Sequence, residues 1–197
     1  WGSASAEVKD VLSNGNTGNV VNFDQTTGPT IGKIGQALNF DGGNDYVDIG
    51  DDISLETLTA MSASVWVKYD SLSQSHIVSK RAGNDNGWLF FLNSSNIPSF
   101  RVDTGSAVSV PGPALVADRW YHFMGTWNGN DIRFYIDGDE VNNDTQTGSM
   151  INLTYGITIG ARASTHDNKV DGTIDDVRLY NRALSAAEVT RLYELGK

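Results

Sequence analysis

Two adjacent carboxylates, Asp175 and Asp176, interrupt an alternating apolar stretch that runs from Ile174 to Tyr180. Carboxylates inside a strand are costly unless something binds them; for Asp175 the choices are a metal ion, a pairing with Arg178 or Arg182, or exposure to water. The chain has no cysteine, so a metal would have to be held by oxygen or by one of the three histidines. Only five of the acidic residues are Glu; the rest are Asp. Short Asp and Asn side chains suit turns and caps, and they also suit hard cations such as Ca²⁺.

A second group of residues could hold a polar ligand. Trp88 follows Asn84-Asp85-Asn86-Gly87 at the start of a strand, where an indole would stand at the rim of a groove. His76, Lys80 and Arg81 lie on the preceding strand, and Arg101 lies on the following one. Arg162 and His166 would reach the same surface from a later loop. Aromatic faces pack on pyranose rings, and planar polar groups bond hydroxyls. A set of cations on a chain of net charge −10 would suit an acidic polysaccharide. The competing reading is that Lys and Arg protect exposed strand edges.

The elements that would position these residues are short strands. Gln36–Phe40 and Tyr46–Ile49 flank the turn 41–45 and read as a hairpin. Ser62–Tyr69 alternates, with Val65 and Val67 on one face and Ser64, Trp66 and Lys68 on the other. Further strands are expected over 76–81, 87–93, 100–104, 107–110, 120–127, 131–136, 140–141, 157–161 and 174–180. Asp137-Gly138 and Asn128-Gly129-Asn130 mark hairpin turns among them. One helix follows: Ser185 caps it, Glu188 completes a capping box, and Val189, Leu192 and Tyr193 form its apolar stripe. The pattern predicts an all-β, two-sheet antiparallel jelly-roll sandwich with one short C-terminal helix, forming a single domain over 1–197.

Composition narrows the function. The acidic balance argues against nucleic acid and anionic membrane as partners. No apolar run approaches the ~20 residues of a membrane span. The chain starts at Trp1 without Met, so it reads as excised from a longer protein, with a signal segment possible upstream.

Several segments together carry a resemblance: 35–47 (Gly-Gln-Ala-Leu-Asn-Phe-Asp-Gly-Gly-Asn-Asp-Tyr-Val), 64–68, Trp120-Tyr121-His122 with Thr126-Trp127, Phe134 to Gly138, and Ile174 to Ser185. In this order they resemble the laminin-G-like, concanavalin A-like lectin/glucanase superfamily, and in particular its bacterial extracellular modules. The resemblance implies a concave and a convex sheet. It also implies a structural Ca²⁺ away from the sugar groove, with Asp175, Asp41, Gly42 and Asn16 (from the turn 14–16) as ligands. It further implies that Trp66, Trp120 and Trp127 pack between the sheets.

Hydrolases of the superfamily use paired carboxylates, and a retaining pair must stand ~5–5.5 Å apart. No strand here shows such a pair, and His76, Lys80, Arg81, Asn93 and Arg101 give only a loose version of a lyase set. The expectation is a non-catalytic module of a larger secreted or cell-surface protein that binds polysaccharide or another glycan, with covalently linked neighbouring domains and no membrane insertion. An adhesion domain contacting a protein and a small polysaccharide lyase or hydrolase remain the alternatives.

Overall fold

The computed structural model describes residues 7–9, 16–24, 28–51, 58–81, 87–150 and 155–197. Fifteen strands precede one helix: β1 (Glu7–Val8), β2 (Gly18–Val21), β3 (Pro29–Ile31), β4 (Gln36–Asp41), β5 (Tyr46–Gly50), β6 (Met61–Ser71), β7 (Ser75–Lys80), β8 (Gly87–Leu92), β9 (Pro98–Asp103), β10 (Ala107–Pro111), β11 (Trp120–Trp127), β12 (Asp131–Ile136), β13 (Asp139–Thr145), β14 (Ile157–Ile159), β15 (Asp171–Tyr180) and α1 (Ala186–Leu195). They form two antiparallel sheets. The first has eight strands, ordered β1-β2-β5-β14-β7-β8-β9-β10. The second has seven, ordered β13-β12-β11-β6-β15-β4-β3. This is the expected jelly-roll sandwich.

The core lies where the inner faces meet. Alternation selects Val65, Val67 and Tyr69 on β6, Phe123 and Trp127 on β11, Phe90 and Leu92 on β8, and Phe100 and Val102 on β9. Gly125 has no side chain because the Phe100 ring occupies that space; a Cβ there would lie 2.4 Å from Phe100 Cγ.

One expected pairing fails. β4 and β5 are not a hairpin: β4 pairs with β3 and β15 in the second sheet, while β5 pairs with β2 and β14 in the first. The turn 41–45 therefore crosses between sheets. Asp45 holds the corner, its Oδ2 accepting the Asp41 N–H at 3.1 Å.

The helix forms as its sequence demands. Ser185 and Glu188 make both bonds of the capping box, and the Glu188 carboxylate also takes two bonds from Arg182. α1 packs Val189 and Leu192 against Met124, Tyr135 and Leu184 on the outer side of the second sheet. Trp66 is buried there too, stacked on Tyr193 at 5.7 Å and beside His122 at 5.0 Å. α1 thus covers part of the outer side of the second sheet. Of the three tryptophans expected between the sheets, only Trp127 is there. Trp66 and the half-buried Trp120 point outward, because strand alternation puts them on the face opposite Val65, Val67 and Tyr121.

Candidate functional site

The outer side of the eight-stranded sheet carries three rows of side chains. His76, Phe91, Ser99 and Pro111 form one row across β7 to β10. Ser79, Leu89, Arg101 and Ser109 form the next. Gly87, Asp103 and Ala107 form the third, with Arg81 entering from the end of β7. The loop 160–169 closes one flank, since the His76 N–H donates to the Asn168 carbonyl at 2.8 Å and the Gly160 N–H to that of Ile77 at 2.8 Å.

Arg81 crosses this face to reach Asp103, with Nε at 3.3 Å and Nη2 at 3.1 Å from Oδ2. Gly87 lies between them, and the crossing depends on it. Its φ is +143°, and a Cβ would sit 2.0 Å from the Lys80 carbonyl oxygen and 3.2 Å from Arg81 Cα. Arg101 has Asp103 Oδ2 as its acidic neighbour, at 4.0 Å. Arg162 pairs with Asp167 at 3.0 Å on the flanking loop. His76 packs on Phe91, ring centroids 6.4 Å apart. Burial first, then the charge of Arg162 and, more weakly, of Arg81 and Arg101, push the His76 imidazole down to about 4. The ring is therefore neutral at pH 7. Burial, reinforced by Arg81, also lowers the Arg101 guanidinium from its ordinary value, against the opposing pull of Asp103.

The structure thus brings together His76, Arg81, Arg101 and Arg162, four of the six expected ligand contacts. It removes the other two. Trp88 is 1% exposed and belongs to the core, because alternation along β8 sends Trp88, Phe90 and Leu92 inward. The outward aromatic of β8 is Phe91, half-buried on the open face. Lys80 shares the inward side. Its amine is fully enclosed and donates to Asp51 Oδ1 at 2.7 Å and to the Tyr155 carbonyl at 2.8 Å. It ties two chain segments together instead of meeting a ligand. His166 stacks on Tyr46 at 4.2 Å, with Lys169 Nζ 4.4 Å from the same Tyr46 ring.

Sequence reasoning missed Phe91, Asp103 and Asp167. Phe91 was legible in principle: in Gly-Trp-Leu-Phe-Phe-Leu, one face takes Trp88, Phe90 and Leu92, and the other takes Leu89 and Phe91.

Two of the calcium ligands implied by the resemblance, Asp175 and Asp41, do not converge, while the Asn16 Oδ1 is enclosed without a hydrogen-bond partner among the described residues. β15 pairs with β4 so that Asp171 faces Asp41 and Ile174 faces Leu38. Asp175 then lies four residues along, roughly 13 Å from the Asp41 level at the usual strand rise. The Gly42 N–H donates to the Val170 carbonyl at 3.1 Å, at the Asp171 end. Asn16 precedes β2, in the other sheet; Asn14 and Gly15 of the same turn lie outside the described residues. Asp175, 5% exposed, already has donors on both oxygens: the Ile34 N–H at 2.8 Å and the Asp176 N–H at 2.7 Å. These donors satisfy the buried charge without a cation, and Asp41 does not stand beside it. It anchors the bulge at which Asp176 takes a φ of +47° and turns to Arg178 at 2.9 Å. Among the described residues, no three acidic or histidine side chains are grouped to hold an ion.

We expect Asp175→Ala to cost about 2 kcal/mol, the worth of backbone bonds to a buried charge. The loss should be the same in Ca²⁺ and in chelator. Urea denaturation of both variants in both buffers checks this, and a loss confined to Ca²⁺ would return Asp175 to a metal.

Comparison with solved structures agrees with this architecture. The binding domain of Paraclostridial Mosquitocidal Protein 1 superposes with a TM-score of 0.73 at 17% identity, over 94% of this chain and 48% of that one. The present chain thus spans about half the length of that protein chain. Domain 4 of AbnA, a GH43 extracellular arabinanase from Geobacillus stearothermophilus solved with arabinotriose, gives a TM-score of 0.66 at 20% identity, over 86% of this chain and 80% of that domain. The native heptameric SAP-like pentraxin of Limulus polyphemus gives 0.55 at 14% identity, over 71% of each chain. At such identities the likeness establishes the fold alone. No curated protein sequence matches the chain. The sequence profile described as the concanavalin A-like lectin/glucanases superfamily matches residues 41–190. That match covers most of the chain, so the protein is a member of the concanavalin A-like lectin/glucanase superfamily.

Proposed function

We propose that this domain is a non-catalytic, extracellular carbohydrate-binding module, accessory to neighbouring domains of a larger protein, and that it binds glycan on the outer side of the eight-stranded sheet. One observation carries the reading. That face presents Phe91 beside His76, Arg81, Arg101 and Arg162, while α1 covers part of the outer side of the other sheet. An aromatic plane flanked by planar polar groups is the usual construction of a sugar subsite. The solved relatives support the reading by analogy, since one is a binding domain and another carries a trisaccharide. Asp103 is buried and clamped by Arg81, so it is poorly placed to act as an acid or base.

Isothermal titration against a panel of neutral and acidic polysaccharides tests the proposal. Binding is expected for at least one polymer, and Phe91→Ala should weaken it by about tenfold or more, the loss of one stacking platform. Its melting temperature identifies any contribution from unfolding. No binding across the panel, with capture of a protein ligand instead, would favour the adhesion reading. Release of reducing ends or unsaturated products would make the domain an enzyme.

A further inference from the structure

We propose that the ligand of this face is a carboxylated glycan, with the Arg101 guanidinium as the receptor for a uronate carboxylate and Arg162 as its second cation. This rests on the carbohydrate reading above and narrows it to a class.

The argument starts from an unpaired charge. The other half-buried arginines Arg81, Arg133, Arg162 and Arg178 each have an acid within 3.1 Å. Arg101 does not. Its side chain is 30% exposed, its Nε is enclosed without a hydrogen-bond partner, and its acidic neighbour stands at 4.0 Å. That neighbour, Asp103 Oδ2, already accepts two bonds from Arg81. Among the ion-paired arginines of the described residues, Arg101 has the longest separation from its acid, 4.0 Å against 2.6–3.1 Å for the rest. Among the described residues, three guanidiniums here face two carboxylates, and the neutral His76 adds no charge to either side.

Hydrogen-bonding capacity is unmet on the same patch. Of the nine enclosed side-chain atoms without a hydrogen-bond partner among the described residues, three lie here with no acid beside them: His76 Nδ1, Arg101 Nε and Asn168 Nδ2; Arg162 Nε has Asp167 Oδ1 at 3.0 Å. Neutral sugar hydroxyls would satisfy donors but would leave the excess positive charge in place. A carboxylate supplies both acceptors and charge, and its planar geometry matches the guanidinium fork. Spacing agrees. Phe91 opposes Ser99, so Arg101 is its diagonal neighbour across β8 and β9, roughly 7–8 Å away. A pyranose lying on the Phe91 ring would therefore aim a ring-borne carboxylate at Arg101.

The test uses polygalacturonate, the same polymer fully methyl-esterified, and neutral arabinan, each titrated into the intact domain at low and at raised salt. Polygalacturonate should bind, and more weakly as salt rises. Esterification should weaken binding about tenfold or more, as should Arg101→Gln. Arg162→Gln should weaken binding in the same direction, and it decides the question if the first variant fails to fold. If the esterified polymer or arabinan binds as tightly as polygalacturonate, or if both variants keep full affinity, the acidic-glycan inference is overturned while the carbohydrate reading stands. If none of the three polymers binds, this inference falls, and the wider panel decides the carbohydrate reading separately.

Discussion

Replacing Trp88 with alanine is expected to lower the stability of this domain by about 3–5 kcal/mol, as removal of a large buried aromatic does elsewhere. The indole is 1% exposed and lies within the core between the two sheets, with Lys80 opposite it on β7 and Val102 opposite it on β9. No neighbour is free to fill the space: the Phe90 and Phe100 rings already pack at 5.0 Å. The loss should appear as a shifted urea midpoint. The fraction that remains folded should bind glycan with wild-type affinity. A variant that keeps its stability and loses its ligand would mean that the indole faces the ligand after all.

Acid is expected to unfold the protein through its histidines before its carboxylates respond. Burial pushes both His122 and His76 down to about 4, with nearby guanidiniums adding to the shift: Arg178 for His122, chiefly Arg162 for His76. In the unfolded chain both return to about 6.5. Between these values the unfolded state binds protons that the native state refuses, so stability falls as pH drops from about 6.5 to about 4. Below that window both states carry the charge and these groups add no further slope. His122 is 1% exposed, and its shift corresponds to about 3 kcal/mol. His76 is less enclosed and contributes less. Asp45 and Asp171, raised by burial, act in the opposite sense at lower pH. The groups facing the His122 ring are Trp66 on β6, Tyr193 on α1 and Arg178 on β15. His122→Phe should therefore remove most of the slope, leaving the part due to His76. A urea midpoint that stays constant from neutral pH down to about 4 would refute this mechanism of acid unfolding.

Much of this fold was readable from local pattern. Strand alternation placed Val65 and Val67 inward and Trp66 and Lys68 outward, and Ser185 with Glu188 announced the helix start. Sheet membership was not readable. A Gly-rich turn between two apolar runs looks like a hairpin whether its strands pair or part, and the turn 41–45 parts them. The site was half legible for a related reason. Arg81, Arg101 and His76 share a face because of a register that spans β7, β8 and β9, which sequence proximity only approximates. The shift in register between His76 and Val78 decides that Lys80 turns inward while His76 stays out, and nothing in the residues 76–80 announces it. Asp175 shows the limit of resemblance. Its carboxylate is buried as a ligand's would be, yet backbone N–H groups satisfy it, and only coordinates distinguish the two arrangements.

The packing of α1 also fixes how the domain presents itself when tethered. Gly196 lies against the Trp66 indole, so closely that a Cβ would come within 2.7 Å of the ring, and Lys197 follows immediately. Residues 196–197 therefore lie at the back of the sandwich, behind the second sheet. A bead, fluorophore or sensor surface coupled there would hold the arginine-lined side toward the solution. The glycan proposed for that side would then approach with no obstruction from the support.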